Sequence, residues 1–399
     1  MIVRETDFRE FISNSIQRLL PPQRKLYIWG AGVAGEALHG HLCAEPLRID
    51  GFLDSNPQKQ GKSFCGLPVF PPEKLEEEQD AKVILATLDY PDGMERYLRS
   101  IGKEENKDYF FSNVFLSVYM MSRHQKLYMH HVNVNITDRC TLRCRDCSLY
   151  IPYYKERKEY PLERVLAGLD AFFSVVDYAQ ELHLIGGEPL LYPDLTELVA
   201  EIGIKYRSRI GEFAIATNGT ILPKQELCRQ SRQNGVLFTI SDYTKSPVFV
   251  GRSYVGELVE LLKQQKVSYR LGNKSEWFDF NNVPGNGYPA SALQERFQEC
   301  FFRNRGLYEG RLYYCQHQYG AFRAGAGEED PDGYLNLNGP ERVTKEQMLA
   351  FELGFLPKGY LTHCAKCNGF ERLNTQYIQA AAQCKGDSTA WKSSGNSAN

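Results

Sequence analysis

A chain of 399 residues with 42% hydrophobic and 24% charged residues has the composition of a soluble globular protein, long enough for two or three domains with their own cores. Its net charge of −2, from 47 basic and 49 acidic residues, gives no electrostatic reason to expect a nucleic acid, and no run of 18 apolar residues offers a membrane span. The start, Met1 to Asp7, lacks the apolar core of a signal peptide. Eleven cysteines, several at ligand-like spacings, fit a reducing compartment and metal chemistry better than disulfides, so a cytoplasmic protein is expected.

Residues 1–23 read as a short amphipathic helix closed by Pro21-Pro22. Lys25 to Trp29 has the pattern of a buried strand and feeds Gly30-Ala31-Gly32-Val33-Ala34-Gly35 and a helix to about Leu42. This is G-x-G-x-x-G between strand and helix, where Gly30, Gly32 and Gly35 let the backbone approach a phosphate at a helix N-terminus. A second strand, Ile49 to Leu53, ends at Asp54, where a ribose-binding acid belongs, and Lys82 to Ala86 makes a third. Three readings stay open for this domain, residues 1–125: nucleotide or nucleotide-sugar binding, close strand–helix packing or docking, and a redox nicotinamide. Residues 103–130 read as an aromatic- and Met-bearing connection that closes it.

From His131 the rhythm becomes strand–loop–helix. Strands are predicted at Val132–Ile136, Glu181–Ile185, Glu212–Ala216, Val236–Ile240 and Lys266–Leu271, alternating with helices from Pro161 to about Val176, Leu195–Tyr206, near Lys224–Gln233 and Val255–Gln265. Such βα repeats build a full or partial parallel barrel over residues 126–290, with reactive groups at the C-terminal ends of strands. Strand one leads into Cys140, Cys144 and Cys147 at C-x3-C-x2-C. Strand two leads into Gly186-Gly187-Glu188-Pro189, strand three into Thr217-Asn218-Gly219-Thr220, and strand four into Ser241-Asp242-Tyr243. Three thiolates at these spacings suit an iron–sulfur cluster with one iron left open, whereas structural zinc wants four ligands and haem attachment wants a histidine after the last cysteine, where Ser148 stands.

The cysteine stretch and the motifs behind it resemble the radical S-adenosylmethionine (SAM) superfamily over roughly residues 131–275. The resemblance implies a partial (β/α)6 barrel in which Cys140, Cys144 and Cys147 hold a [4Fe-4S] cluster whose open iron chelates SAM. Gly186, Gly187, Glu188, Asn218 and Ser241 would contact SAM, and a 5'-deoxyadenosyl radical would abstract hydrogen from the substrate. An external electron donor such as flavodoxin or ferredoxin is implied. Asp146 stands where the family usually has an aromatic residue. Cys300, Cys315, Cys364 and Cys367, in residues 291–384, are similar to the SPASM or Twitch extensions that carry auxiliary clusters, with zinc as the alternative for four thiolates and His317 and Cys384 as possible substitute ligands. Gly51–Asn56 and Gly66–Val69 are similar to the Rossmann-like domains of sugar-modifying enzymes.

The whole is expected to be α/β: a Rossmann-like domain, the barrel, a cysteine-rich extension and a disordered tail, 385–399. Gly325 to Tyr334 reads as a flexible loop, and Cys43, Cys65 and Cys228 as lone core residues, with Cys228 the least implausible hydrogen donor. Trp277 and Phe278 read as packing residues near the barrel mouth. The expected reaction is hydrogen abstraction from a carbohydrate or nucleotide-sugar, leading to epimerisation, dehydration or oxidation. The alternatives are peptide modification and a non-catalytic iron–sulfur protein that binds nucleotides.

Overall fold

The computed structural model describes residues 8, 10–12, 24–87, 91–280, 288–300 and 304–384, so the tail expected after 384 and most of the expected N-terminal helix lie outside the described residues. The chain divides into two units between Tyr128 and Met129.

The first unit runs β1 (Leu26–Trp29), α1 (Val33–Leu42), β2 (Gly51–Leu53), β3 (Ser63–Phe64), β4 (Leu67–Phe70), β5 (Lys82–Leu85), α2 (Asp92–Ser100), β6 (Tyr109–Phe111) and α3 (Ser112–His124). Its sheet has the order β3-β4-β2-β1-β5-β6, and every pairing is parallel except the β3–β4 edge. The parallel strands therefore follow the doubly wound order, with the topological switch beside β1. Ile28, Phe52, Ile84, Phe110 and Phe115 form the core. The stretch 103–130 is not a connection, since it holds β6 and α3. From Asn113 to Met121 every residue of α3 is buried, so no polar stripe betrays its helical period.

The second unit opens with β7 (Tyr128–Thr137), α4 (Leu162–Phe173), β8 (Tyr178–Gly186), α5 (Leu195–Tyr206), β9 (Ile210–Thr217), α6 (Gln225–Gln233), β10 (Val236–Asp242), α7 (Val255–Gln264) and β11 (Ser268–Asn273). It continues with β12 (Glu276–Phe278), α8 (Ala290–Glu299), β13 (Arg305–Tyr308), β14 (Arg311–Tyr313), α9 (Gln316–Arg323), β15 (Tyr334–Asn336), α10 (Lys345–Glu352) and β16 (Tyr377–Gln379). One eight-stranded sheet has the order β11-β10-β9-β8-β7-β13-β14-β15. The strand beyond the five in βα succession is β13, which joins the opposite edge by pairing Arg305 to Val132 and Leu307 to Val134 in parallel. The residues after Cys300 are thus built into the same compact unit as the barrel strands.

Arg305 enters this sheet edge fully buried, because its guanidinium donates to the carbonyls of Tyr314 and Glu352 and lies over the Tyr314 ring. Gly325 to Tyr334 is tied in, in place of the flexible loop expected there. The buried Asp330 carboxylate accepts from Thr362 N–H (2.7 Å), Thr362 Oγ1 (2.8 Å) and Lys358 Nζ (3.1 Å).

Candidate functional site

The loop after β7 is folded by its own backbone: Cys147 N–H donates to Cys144 O (3.2 Å) and Tyr150 N–H to Cys147 O (2.8 Å). Asp138, 2% exposed, anchors its start. It accepts from Lys158 N–H (2.9 Å) and pairs with Arg323 of α9 at 2.9 Å, while that guanidinium also reaches the Tyr160 and Tyr319 hydroxyls. The far side is covered by a strap, residues 381–384. Arg145 N–H donates to Ala382 O (2.6 Å), Cys384 N–H to Arg143 O (2.8 Å), and Arg143 N–H to Gln383 Oε1 (2.7 Å). No local signal in the sequence foretold Asp138–Arg323 or the strap, because both join residues more than 180 positions apart.

The second motif packs onto the first. Gly187 N–H donates to Thr137 O (2.8 Å) and Glu188 N–H to Arg139 O (2.7 Å). A Cβ on Gly186 would lie 2.2 Å from Thr137 O, and one on Gly187 would lie 2.1 Å from Arg139 O and 2.9 Å from Cys140 Cβ. The bare faces of both glycines are therefore filled by the cysteine loop. Gly187→Ala should cost about 3 kcal/mol through overpacking, read as a lower thermal midpoint together with lost iron.

Glu188 is fully buried, with Oε1 accepting from Leu190 N–H (3.1 Å) and Oε2 from Asn218 N–H (2.8 Å); burial pushes its carboxyl up to about 7. Asn218 in turn donates to Thr141 Oγ1 (3.0 Å) and to Cys140 Sγ (3.6 Å). Ser241 ends β10 two residues before Tyr243, whose ring meets Trp277 edge-on at 5.5 Å. Trp277 and Tyr243 pack against the group that contains Cys140, Cys144 and Cys147. Cys228 is wholly buried on α6, whereas Cys43 and Cys65 are exposed and are not the core residues expected.

Burial pushes the thiols of Cys140 (to about 12), Cys144 and Cys147 upward, and the mutual proximity of the three adds to it for Cys140 and Cys144. Thiolates here need cationic compensation, and N–H donors already address the sulfurs: Leu142 N–H and the Asn218 amide reach Cys140, and the Gln383 amide reaches Cys144 at 3.5 Å. Among the described residues, only His131, Glu181 and His183 bring three ligand atoms within 4.8 Å of one another. A single zinc with bonds of about 2.3 Å would draw thiolates to roughly 3.8 Å from each other. Three thiols on one loop leave such a zinc short of its fourth ligand and suit a cluster, which sets iron and sulfide between its ligands.

Residues 134–241 match the model described as "Radical SAM superfamily". This segment is a radical SAM domain. Its cofactors are a [4Fe-4S] cluster and S-adenosylmethionine, and the loop that carries Cys140, Cys144 and Cys147 lies within the matched residues.

Among curated proteins, the chain is 30% identical to GTP 3',8-cyclase of Aquifex aeolicus over 190 residues (44% of this chain, 53% of that one). It is 35% identical to GTP 3',8-cyclase of Marinobacter nauticus over 95 residues (24% and 28%). The chain thus spans about half or less of the length of these curated relatives. Among solved structures, BtrN in complex with AdoMet and 2-DOIA aligns at 18% identity over 59% of this chain and 85% of that one, with a TM-score of 0.38. Native anSMEcpe with bound AdoMet aligns at 14% over 58% and 82%, with a TM-score of 0.39.

Beside the radical SAM domain, Cys300, Cys315, Cys364 and Cys367 converge on a cavity that His317 and His363 also line. Burial pushes the Cys315 thiol up to about 11 and raises that of Cys364 as well. His317 has both ring nitrogens engaged, Nδ1 with Ser148 O (2.9 Å) and Nε2 with the Tyr150 hydroxyl (3.3 Å), which leaves no lone pair for a metal. Cys384 belongs elsewhere: its thiol packs with Cys140 and Cys147 and meets the Tyr153 hydroxyl at 3.5 Å. Neither is a substitute ligand in this structure. Both ring nitrogens of His363, 6% exposed, lack hydrogen-bond partners among the described residues. A buried imidazole left this way costs free energy unless something fills the cavity beside it, so the cavity fits a bound cluster.

In the first unit, a Cβ on Gly30 would lie 2.2 Å from Ala86 O and one on Gly35 1.9 Å from Gly30 O, so these two glycines serve chain packing, while Gly32 faces open space. Asp54 is already engaged, as Ala31 N–H (3.0 Å) and Lys59 Nζ (2.9 Å) both donate to Oδ2. No described helix is long and apolar enough to cross a membrane.

Proposed function

We propose that this chain is a radical SAM enzyme that reductively cleaves SAM and abstracts a hydrogen atom from a carbohydrate. The observation that carries the substrate class is the lining of the β7–β11 strands. One face buries Val134, Leu182, Leu184, Phe213, Ile215 and Phe238. Strand alternation puts Asn133, Asn135, His183, Glu212 and Thr239 on the other, where Arg270, the register partner of Thr239, ion-pairs Glu212 at 2.7 Å. The Asn135 amide nitrogen is buried without a partner among the described residues. These hydrogen-bonding groups, which share their face with Ile185, Ala214, Ala216 and Leu237, suit a polyhydroxylated substrate, whose hydroxyls need donors or acceptors once water is excluded. The curated relatives are named for a reaction on GTP, which contains a sugar.

When bound, the SAM-linked cluster supplies the electron that breaks the sulfonium bond. In this reading the Gly186–Gly187 turn and Ser241 orient SAM, and Glu188 holds Asn218 and the adjoining turn in place. Cys300, Cys315, Cys364 and Cys367 hold an auxiliary [4Fe-4S] cluster. The N-terminal unit binds a nucleotide at Gly32 and the α1 N-terminus, with Asp54 bracing that turn through Ala31 and Lys59.

The test is 5'-deoxyadenosine formation by the reduced, reconstituted protein with SAM, alongside thermal shifts with UDP-, dTDP- and GDP-sugars and with a panel of precursor peptides. SAM cleavage enhanced by a sugar nucleotide is the expected result. Enhancement by peptides alone would replace the substrate, and no 5'-deoxyadenosine at all would sink the enzymatic reading.

A further inference from the structure

Well below the cysteine loop, the barrel strands carry a second group of ligating side chains that SAM chemistry does not use. His131 lies on β7 six residues before its end, about 20 Å along the strand. Glu181 and His183 lie two residues apart on the neighbouring β8, on one face. Their atoms converge: His131 Nδ1 is 2.7 Å from Glu181 Oε2, and His183 Nε2 is 3.8 Å from the same oxygen. The three ligand atoms lie within 4.8 Å of one another, and the two rings meet edge-on with centroids 4.6 Å apart.

We propose that His131, Glu181 and His183 form a binding site for one zinc-class divalent cation, with its remaining positions open. Two imidazoles and one carboxylate on a rigid pair of strands are a donor set that borderline cations favour, and three protein ligands leave room for water or a substrate oxygen. The protonation states agree with this. Burial holds His183 below its ordinary value, which favours the neutral imidazole that a cation needs. Each ring offers its lone pair once its proton sits on the other nitrogen. Glu212, 3.2 Å from His183 Nε2, is tied to Arg270 at 2.7 Å, which leaves the triad as the primary set and Glu212 beside it.

The alternative occupant of these atoms is the proton network alone, His131 to Glu181 and His183 to Glu212, and the two can be told apart. Anaerobically reconstituted protein, with iron and sulfide filling the cysteine sites, is dialysed against micromolar zinc and analysed for metal. One zinc per chain above the His131→Asn/His183→Asn variant is expected at equal iron content. Glu181→Gln, which keeps a hydrogen-bonding oxygen for His131, should weaken binding beyond the roughly 10–100-fold typical of losing an outer-shell partner. Equal zinc in wild type and variants overturns the proposal. Zinc X-ray absorption on the unaltered protein guards against variants that misfold: nitrogen and oxygen neighbours at about 2.0–2.2 Å are expected, whereas sulfur at about 2.3 Å overturns the assignment. The result is independent of SAM cleavage, so the failure of one reading leaves the other standing.

Discussion

Cys144→Ala is expected to reduce 5'-deoxyadenosine formation to background and to remove one cluster's worth of iron, while the iron held by the second cysteine group stays. Cys144 is the most buried of the three loop cysteines, and its sulfur receives the Gln383 amide. Two thiolates cannot hold three irons of a cubane, so the open iron is lost with it. The checks are iron and sulfide analysis and liquid chromatography of the SAM cleavage products. Full turnover by the variant would disprove the assignment of this loop. Loss of all iron, by contrast, would show that the two cysteine groups depend on each other.

Arg323→Met is the second large effect, and it falls first on stability. Asp138 is 2% exposed, and losing its partner strands a carboxylate against the Lys158 N–H alone, apart from the Tyr160 hydroxyl at 3.4 Å. Removing one member of a buried pair costs about 3–5 kcal/mol, which for a unit of this size lowers the thermal midpoint by about 10 °C. Because Asp138 lies two residues before Cys140, cluster retention should fall as well. Asp138→Asn combined with Arg323→Met should recover part of the loss, because no unpaired charge then remains. If the single variant unfolds at the wild-type temperature, the pair is not what ties α9 to the loop.

The positions of the cysteines, the two-glycine turn and the α/β rhythm were legible because each is local. Leu195–Tyr206 matches its helix residue for residue, since its apolar stripe and polar face both lie within twelve positions. By contrast, α3 hides among residues buried on all sides, and β13 is four residues long and centred on a glycine and a leucine. Its pairing with β7 spans more than 170 residues, and no window along the chain contains both partners.

The candidate site divides the same way. The thiols' identity and their C-x3-C-x2-C spacing select the metal chemistry, because ligand type and loop closure are properties of a dozen adjacent residues. Which groups surround that chemistry was decided only in three dimensions. The strap carries Cys384 to the first cysteine group, Asp54 is occupied by Lys59, and His363 is turned into the second cavity. Glycines that invite a ligand in one dimension turn out to admit a neighbouring backbone. The physical reason is common to all of these: a short motif specifies which atoms are available, whereas burial and long-range pairing specify what already satisfies them.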